Sequence, residues 1–296
     1  MKFAFNAYDP KFHDLIDTEA EFESISTGHS VTEGIIWWPH KNCLVFSDMA
    51  AGKVYSWDPE TFETKIIKQP SNITNGNTID RDGNLVSVEH ATNRVVRWEA
   101  DGRWIRTLAD NYMGSALNSP NDIIVDQKGR IWFTDPTYGH ISAVAGIARP
   151  CELDFQGVYC IDTDGKLILA NKDFTQPNGL CMEIGQKTML VNDTGRNNIR
   201  RYQIEADCTL SGGEQVCEII TPDGTKIDKD GNIYTTYNTG AGITIFDPTG
   251  KKLGEINVPG NCRNFCFGGP NLDYLYFACN TIYRLKIKTQ GNDVNK

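Results

Sequence analysis

The sequence predicts an all-β fold, a β-propeller of six blades with four antiparallel strands per blade, and three observations carry that prediction. One unit sets the pattern. Asn118 to Gly139 reads as a polar turn, a short β-branched run (Ile123 to Val125), a tight turn at Asp126-Gln127-Lys128-Gly129, and a second apolar run ending at Thr134-Asp135. Two strand runs bounded by turn residues form a β-hairpin. Five further copies open on a polar residue followed by a small or polar one: Glu33-Gly34, Asn75-Gly76, Asn178-Gly179, Asp223-Gly224 and a degenerate Arg263-Asn264. With Asn121-Asp122 of the first unit, the openers are spaced 42, 46, 57, 45 and 40 residues apart, which suits four strands per unit. The returning strands keep step, ending at Ser47-Asp48, Val88-Glu89, Thr134-Asp135, Asn192-Asp193 and Thr236-Tyr237.

Taken in order, the N-terminal run Phe22 to Thr27 precedes the first opener and supplies the outer strand that the last blade lacks. Such closure removes an exposed sheet edge. Third strands follow in every unit: Lys53 to Trp57, Arg94 to Trp98, Gly157 to Ile161, Ile199 to Tyr202, Ile243 to Phe246 and Ile282 to Leu285. Turns such as Asp58-Pro59, Ala100-Asp101-Gly102, Asp162 to Gly165 and Asp247 to Gly250 lead into outer strands. The last unit ends after its third strand and leaves the polar tail Lys288 to Lys296; the first twenty residues are unassigned. No linker or composition shift interrupts the repeat, so residues 1–296 form one domain, with blades opening near 33, 75, 121, 178, 223 and 263.

Composition narrows the function classes. The net charge of −9, with no basic block, argues against nucleic acid and anionic membrane as partners. No apolar run approaches the roughly 18 residues of a membrane span, and the N-terminus lacks a signal-peptide core. Nine cysteines, an odd number without a CxxC pair, read as free thiols of a reduced, cytoplasmic protein.

In a propeller the openers ring one mouth of the central channel. Glu33, Asn75, Asn121, Asn178, Asp223 and Arg263 therefore converge, and the carboxylates with the amides make an all-oxygen cage for one hard divalent cation. Ca²⁺ comes first, with Mg²⁺, Mn²⁺, Zn²⁺ or Fe²⁺ as alternatives. Each Asn-Gly or Asp-Gly taken singly reads as a turn dipeptide. What points to a site is that Glu33 and Asp223 replace a turn-type Asn at the same repeat position. Around the mouth, His90 is a candidate general base or hydrogen-bond donor to substrate hydroxyls, although a lone histidine is more often structural. Asp135 and Asp193 are strand-end candidates for orienting the amides or a water, whereas Asp48 reads as a turn cap. Asp122 should point the opposite way from Asn121, toward a structural role or a second ion. The long third blade places its extra residues, about Gly139 to Gln156, at the mouth, where Ile141 to Ala148 would form a lid and Tyr138 a substrate contact. Trp57, Trp98 and Trp132 read as inter-blade filling, and one of Trp37 and Trp38 as channel lining.

Glu33-Gly34-x-x-Trp37, Asn118-Ser-Pro-Asn-Asp122, Phe133-Thr-Asp-Pro-Thr-Tyr-Gly139, Gln176-Pro-Asn-Gly179, Pro222-Asp-Gly224 and Phe265-Cys-Phe-Gly-Gly-Pro270 together resemble the regucalcin, gluconolactonase and luciferin-regenerating-enzyme family of six-bladed propellers. The resemblance runs from Glu33 to about Lys288. It implies that Glu33, Asn178 and Asp223 bind one divalent metal, that Asn121 contacts metal or substrate, and that Asp223 transfers a proton. It also implies hydrolysis of an aldono-1,4- or 1,5-lactone by metal-activated water. Regucalcin-type members carry an arginine where this chain has Ser119, so substrate preference is not transferable from them. The Ser-Pro-Asn-Asp form and the Glu89-His90 pair look more like the gluconolactonase branch. The catalytic candidates are thus Asp223, His90 and Asp135; the substrate-binding candidates are Asn121, Ser119 and Tyr138; the metal candidates are Glu33, Asn121, Asn178 and Asp223. The expected partner is a small-molecule lactone, and the expected state a monomer or small homo-oligomer. Two alternatives stay open: a phosphotriesterase or arylesterase on the same metal cage, and a non-catalytic metal-binding propeller.

Overall fold

A computed structural model of the chain describes residues 4–99, 103–142, 144–237 and 242–292. The turn Ala100-Asp101-Gly102, Ala143 of the expected lid, and residues 293–296 of the tail lie outside the described residues. Six antiparallel sheets form a ring of blades, each built from consecutive strands of the repeat. The innermost strands are Thr32–Trp38, Thr74–Ile79, Ile123–Val125, Pro177–Met182, Pro222–Ile227 and Asn264–Gly268. Each touches the next, and the last touches the first, which closes the channel. Glu23–Ser26 pairs with Ile282–Lys286 and completes blade 6, as the sequence predicts.

Six apolar clusters, one between each pair of neighbouring blades, hold the ring together. Val86 and Val95 of blade 2 meet Ile123 and Phe133 of blade 3; Trp132 and Val158 of blade 3 meet Leu180 and Val191 of blade 4. Phe46 and Trp57 of blade 1 meet Tyr276 and Ile282 of blade 6. Period-two alternation puts one apolar face of each blade against the next sheet. Emptying one such position, as in Phe46→Ala, costs about 3–5 kcal/mol. Trp57 and Trp132 are fully buried and Trp98 nearly so, in keeping with inter-blade filling.

Two local devices fix the loops. At the lower end, Asp126 Oδ1 accepts the backbone N–H groups of Lys128 and Arg130 at 2.9 Å each, and Asp80 and Asp228 tie the equivalent turns. At the upper end, the acid closing the second strand accepts N–H groups from the loop that enters the innermost strand. Asp48 takes Ser30 and Val31 (2.9 and 3.1 Å), Asp135 takes Asn118 (2.9 Å), and Asp193 takes Thr175 and Gln176 (2.9 and 3.0 Å).

Some of the architecture goes beyond the repeat. Phe5–Ala7 adds a fifth strand to blade 5 alongside Lys252–Asn257. A short helix, Phe12–Leu15, then drives Phe12, Leu15 and Ile16 into the seam between blades 5 and 6. A small hairpin pairs Asn111–Tyr112 with Ser115–Ala116 between blades 2 and 3. No helix among the described residues is long and apolar enough to cross a membrane. All nine cysteines are free, seven of them buried.

Candidate active site

Four openers, Glu33, Asn75, Asn178 and Asp223, sit inside strands, and their glycines are not turn residues; Asn121 and Arg263 lie just before theirs. In blades 1, 2, 4 and 5 the pairing register slips at the X-Gly dipeptide, between Glu33 and Ile36, Thr74 and Asn77, Pro177 and Leu180, and Pro222 and Thr225. A bulge of this kind re-aims a side chain. The glycine is needed because the neighbouring blade packs on it: a Cβ at Gly34 would collide with the Asn75 carbonyl oxygen, and one at Gly179 with that of Asp223. Backbone bonds link blades at this level, Gly76 N–H to Asn121 O at 2.9 Å and Gly224 N–H to Arg263 O at 3.1 Å. The result is a ring of side chains around a cavity of about 230 Å³.

That cavity is lined by all six openers, Glu33, Asn75, Asn121, Asn178, Asp223 and Arg263, with His90 and Tyr138 on the rim. Ser142, Val144 and Ala145 of the inserted loop form one wall, as the lid expectation requires, and Val31 and Met49 form another. Glu33 Oε2 accepts from Asn264 Nδ2 at 3.1 Å and from the Gly34 N–H at 3.2 Å. Burial pushes the Glu33 carboxyl up to about 7, against the pull of Asn264 and Arg263. Burial, then the charge of Glu33, holds the Asp223 carboxyl well above its usual range. Burial also lifts the Tyr138 phenol to about 12.

Three expectations change. His90 is fully engaged: Nε2 meets Asn75 Nδ2 at 3.2 Å and Nδ1 meets the Ala145 carbonyl at 2.7 Å. The amide donor makes Nε2 the acceptor, so Nδ1–H donates to Ala145, and burial lowers the ring to about 4. With neither nitrogen open to substrate, His90 clamps the inserted loop. Its neighbour Glu89 faces away, paired with Lys68 and Arg94 at 2.9 and 2.7 Å. Asp135 lies behind the wall as a tie to Asn118, and burial raises its carboxyl to about 7. Ser119 is likewise fully buried; its hydroxyl donates to Pro136 O (2.5 Å) and accepts from Gly139 N (2.9 Å), anchoring the loop rather than lining the cavity. His140 and Arg149 staple the same loop, His140 bridging Asn118 O and Arg149 O while Arg149 donates to His90 O.

Asp122 does point away from the mouth. It faces a second hollow of about 350 Å³ at the opposite end of the channel, with Lys226 Nζ 3.7 Å away. The ammonium supplies a positive charge there. Trp37, stacked on Tyr276 at 5.7 Å, lines that hollow, whereas Trp38 is buried between blades 1 and 2. Sequence reasoning missed Asn264, Val31 and Met49. Asn264 had one signal: it stands in the repeat position that glycine fills in four other blades.

The donor set suits a hard divalent cation. Two buried carboxylates and the amides of Asn121 and Asn178 share one small cavity, a charge arrangement that is costly without a positive partner. Among the described residues no three His, Cys, Asp or Glu side chains gather into a metal site, so any cation here relies on amide oxygens too.

Comparison with known proteins bears on the whole chain. A gluconolactonase of Zymomonas mobilis is 26% identical over 310 aligned residues, covering 96% of this chain and 86% of its own. A pentonolactonase of Haloferax volcanii is 27% identical, covering 85% and 82%. The solved structure of a Xanthomonas campestris gluconolactonase superposes with a TM-score of 0.89 at 28% identity, over 96% of this chain and 94% of that one. The model of the SMP-30/Gluconolactonase/LRE-like region matches residues 31–281, and the chain belongs to that family of six-bladed propellers.

Proposed function

We propose that this protein is a lactonase that opens a sugar lactone of the aldono-1,4 or 1,5 type at the opener-lined mouth, with one divalent cation as cofactor. The observation that supports this most is the pair Glu33 and Asp223, both buried, facing one cavity beside Asn121 and Asn178. Its kinship with gluconolactonases and a pentonolactonase supports the same reaction class.

Glu33, Asn178 and Asp223 would hold the cation, with Asn121 completing the set. A cation so held supplies Lewis acidity toward an acyl oxygen and acidifies water. In hydrolysis, water adds to the carbonyl carbon, the bond from acyl carbon to ring oxygen breaks, and a proton moves from the water to that oxygen. Asp223 carries this proton between the two. Tyr138, protonated at any working pH, donates a hydrogen bond to a lactone hydroxyl. Val31, Met49 and Val144 keep bulk water from the flank of the substrate.

The test is a pH-indicator assay with a lactone panel after chelation, with each divalent ion restored in turn. Chelation should abolish turnover and one ion should restore it. An Asp223→Ala variant with an unchanged circular-dichroism spectrum and undiminished turnover would overturn the reading.

A further inference from the structure

We propose that Arg263 is a catalytic residue whose guanidinium takes the negative charge developing on the lactone carbonyl oxygen and then pairs with the carboxylate of the product. This rests on the lactonase reading and adds a residue that neither the repeat nor the metal set assigns. Arg263 breaks the acid-and-amide pattern of the ring. Its blade lies between those of Asp223 and Glu33, so it occupies the place between the two carboxylates.

The root of its side chain is fixed. Its N–H donates to Ala278 O (3.3 Å), and its carbonyl accepts from Gly224 N (3.1 Å) and from the Thr236 hydroxyl (2.5 Å). Arg263 lines the cavity, and among the described residues its guanidinium makes no hydrogen bond and no ion pair. Its charge is still felt by Glu33 and Asp223, whose carboxyls it pulls down. A guanidinium serving only to neutralise these acids would contact them; this one is left over.

Two of the other polar side chains in the cavity are committed to each other. His90 uses both nitrogens and Asn75 holds His90. Among the described residues no other Lys or Arg lines the mouth. The six openers sum to a formal charge of −1, from Glu33 and Asp223 against Arg263, and a divalent cation makes this +1. That suits a reaction in which a neutral lactone becomes a monoanion, and the planar fork of arginine matches a carboxylate.

The experiment uses the divalent-loaded enzyme with glucono-1,5-lactone, comparing wild type, Arg263→Lys and Arg263→Ala. Arg263→Ala should lower kcat on the order of 10²–10³, as loss of an oxyanion donor does. It should also weaken competitive inhibition by gluconate about tenfold or more, and added guanidinium should restore part of kcat. Arg263→Lys should fall between. An active wild type overturns the inference, and only the inference, in two cases. One is Arg263→Ala turnover within about threefold of wild type. The other is a loss of kcat with gluconate inhibition unchanged and no guanidinium rescue. A wild type that hydrolyses no lactone removes the lactonase reading and this inference with it.

Discussion

The channel has two ends, and they bury charge in opposite ways. The lower hollow is the larger, about 350 Å³ against 230 Å³, and is walled by Ile35, Trp37, Ile79, Ile124, Met182 and Phe267. Its acid, Asp122, accepts the Ile123 N–H at 2.9 Å and has Lys226 at 3.7 Å. The upper cavity places Glu33 and Asp223 together without an ion-paired cation among the described residues, and both carboxyls are driven up. Size therefore does not mark the chemistry of this molecule. An acid satisfied by its own chain stabilises the fold, whereas acids left in need of a positive partner mark the reacting end.

The comparison breaks first at the acids. Glu33→Gln combined with Asp223→Asn should lower lactone turnover by a factor on the order of 10²–10⁴ and abolish the rise in Tm on adding a divalent ion. Without added ion the variant should melt no lower than wild type, because two costly carboxylates are gone. Persistent turnover would mean that the reacting end has been misplaced. Asn264 sharpens the contrast, since it lines the lower hollow yet donates to Glu33 in the upper one. Asn264→Leu should weaken divalent binding about 10–100-fold by calorimetry; unchanged affinity would make the two ends independent.

A smaller effect is expected at the lower end. Lys226→Met leaves Asp122 with backbone donors alone and should cost about 1–3 kcal/mol by denaturant midpoint, less than a fully buried pair because the lysine is partly solvated. Turnover should change little; a large loss would give the lower hollow a part in the reaction. The smallest effect is pH-dependent. Folded His90 titrates near 4, below its ordinary 6.5. Above pH 6.5 both states are neutral. As pH falls from 6.5 toward 4 the unfolded chain takes a proton that the folded chain refuses, so folding loses stability over that window. Tm measured at pH 7 and pH 5 should fall further for wild type than for His90→Gln, and equal falls would mean the clamp is not buried as described.

The blades were legible because each repeats the same hairpin, and an antiparallel pair is a local structure that turn residues specify. Glu33, Asn121, Asn178 and Asp223 were legible for the same reason, standing at one repeat position. Phe5–Ala7 and Phe12–Leu15 were not: they repeat nothing, and only docking against blades 5 and 6 gives them a surface to bury. Asn-Gly and Asp-Gly looked like turns, since a glycine that bends a chain and one that admits a neighbour's carbonyl have the same letter. Asp135, Ser119 and His90 were placed near the mouth correctly, but sequence position does not say where a side chain points. Hydrogen bonds to Asn118, Gly139 and Ala145 turned them into supports for the inserted loop.

Alone, the sequence determined the number of blades, the ring closure through Glu23–Ser26, and which acids and amides share the channel mouth, because these follow from periodicity and pairing. The tertiary structure decided which of those polar groups remain open to a ligand. Asp122 is matched by Lys226 and His90 by two partners, while Arg263 is left unpaired among the described residues, and such pairing depends on distances between residues that lie 15 to 104 positions apart along the chain.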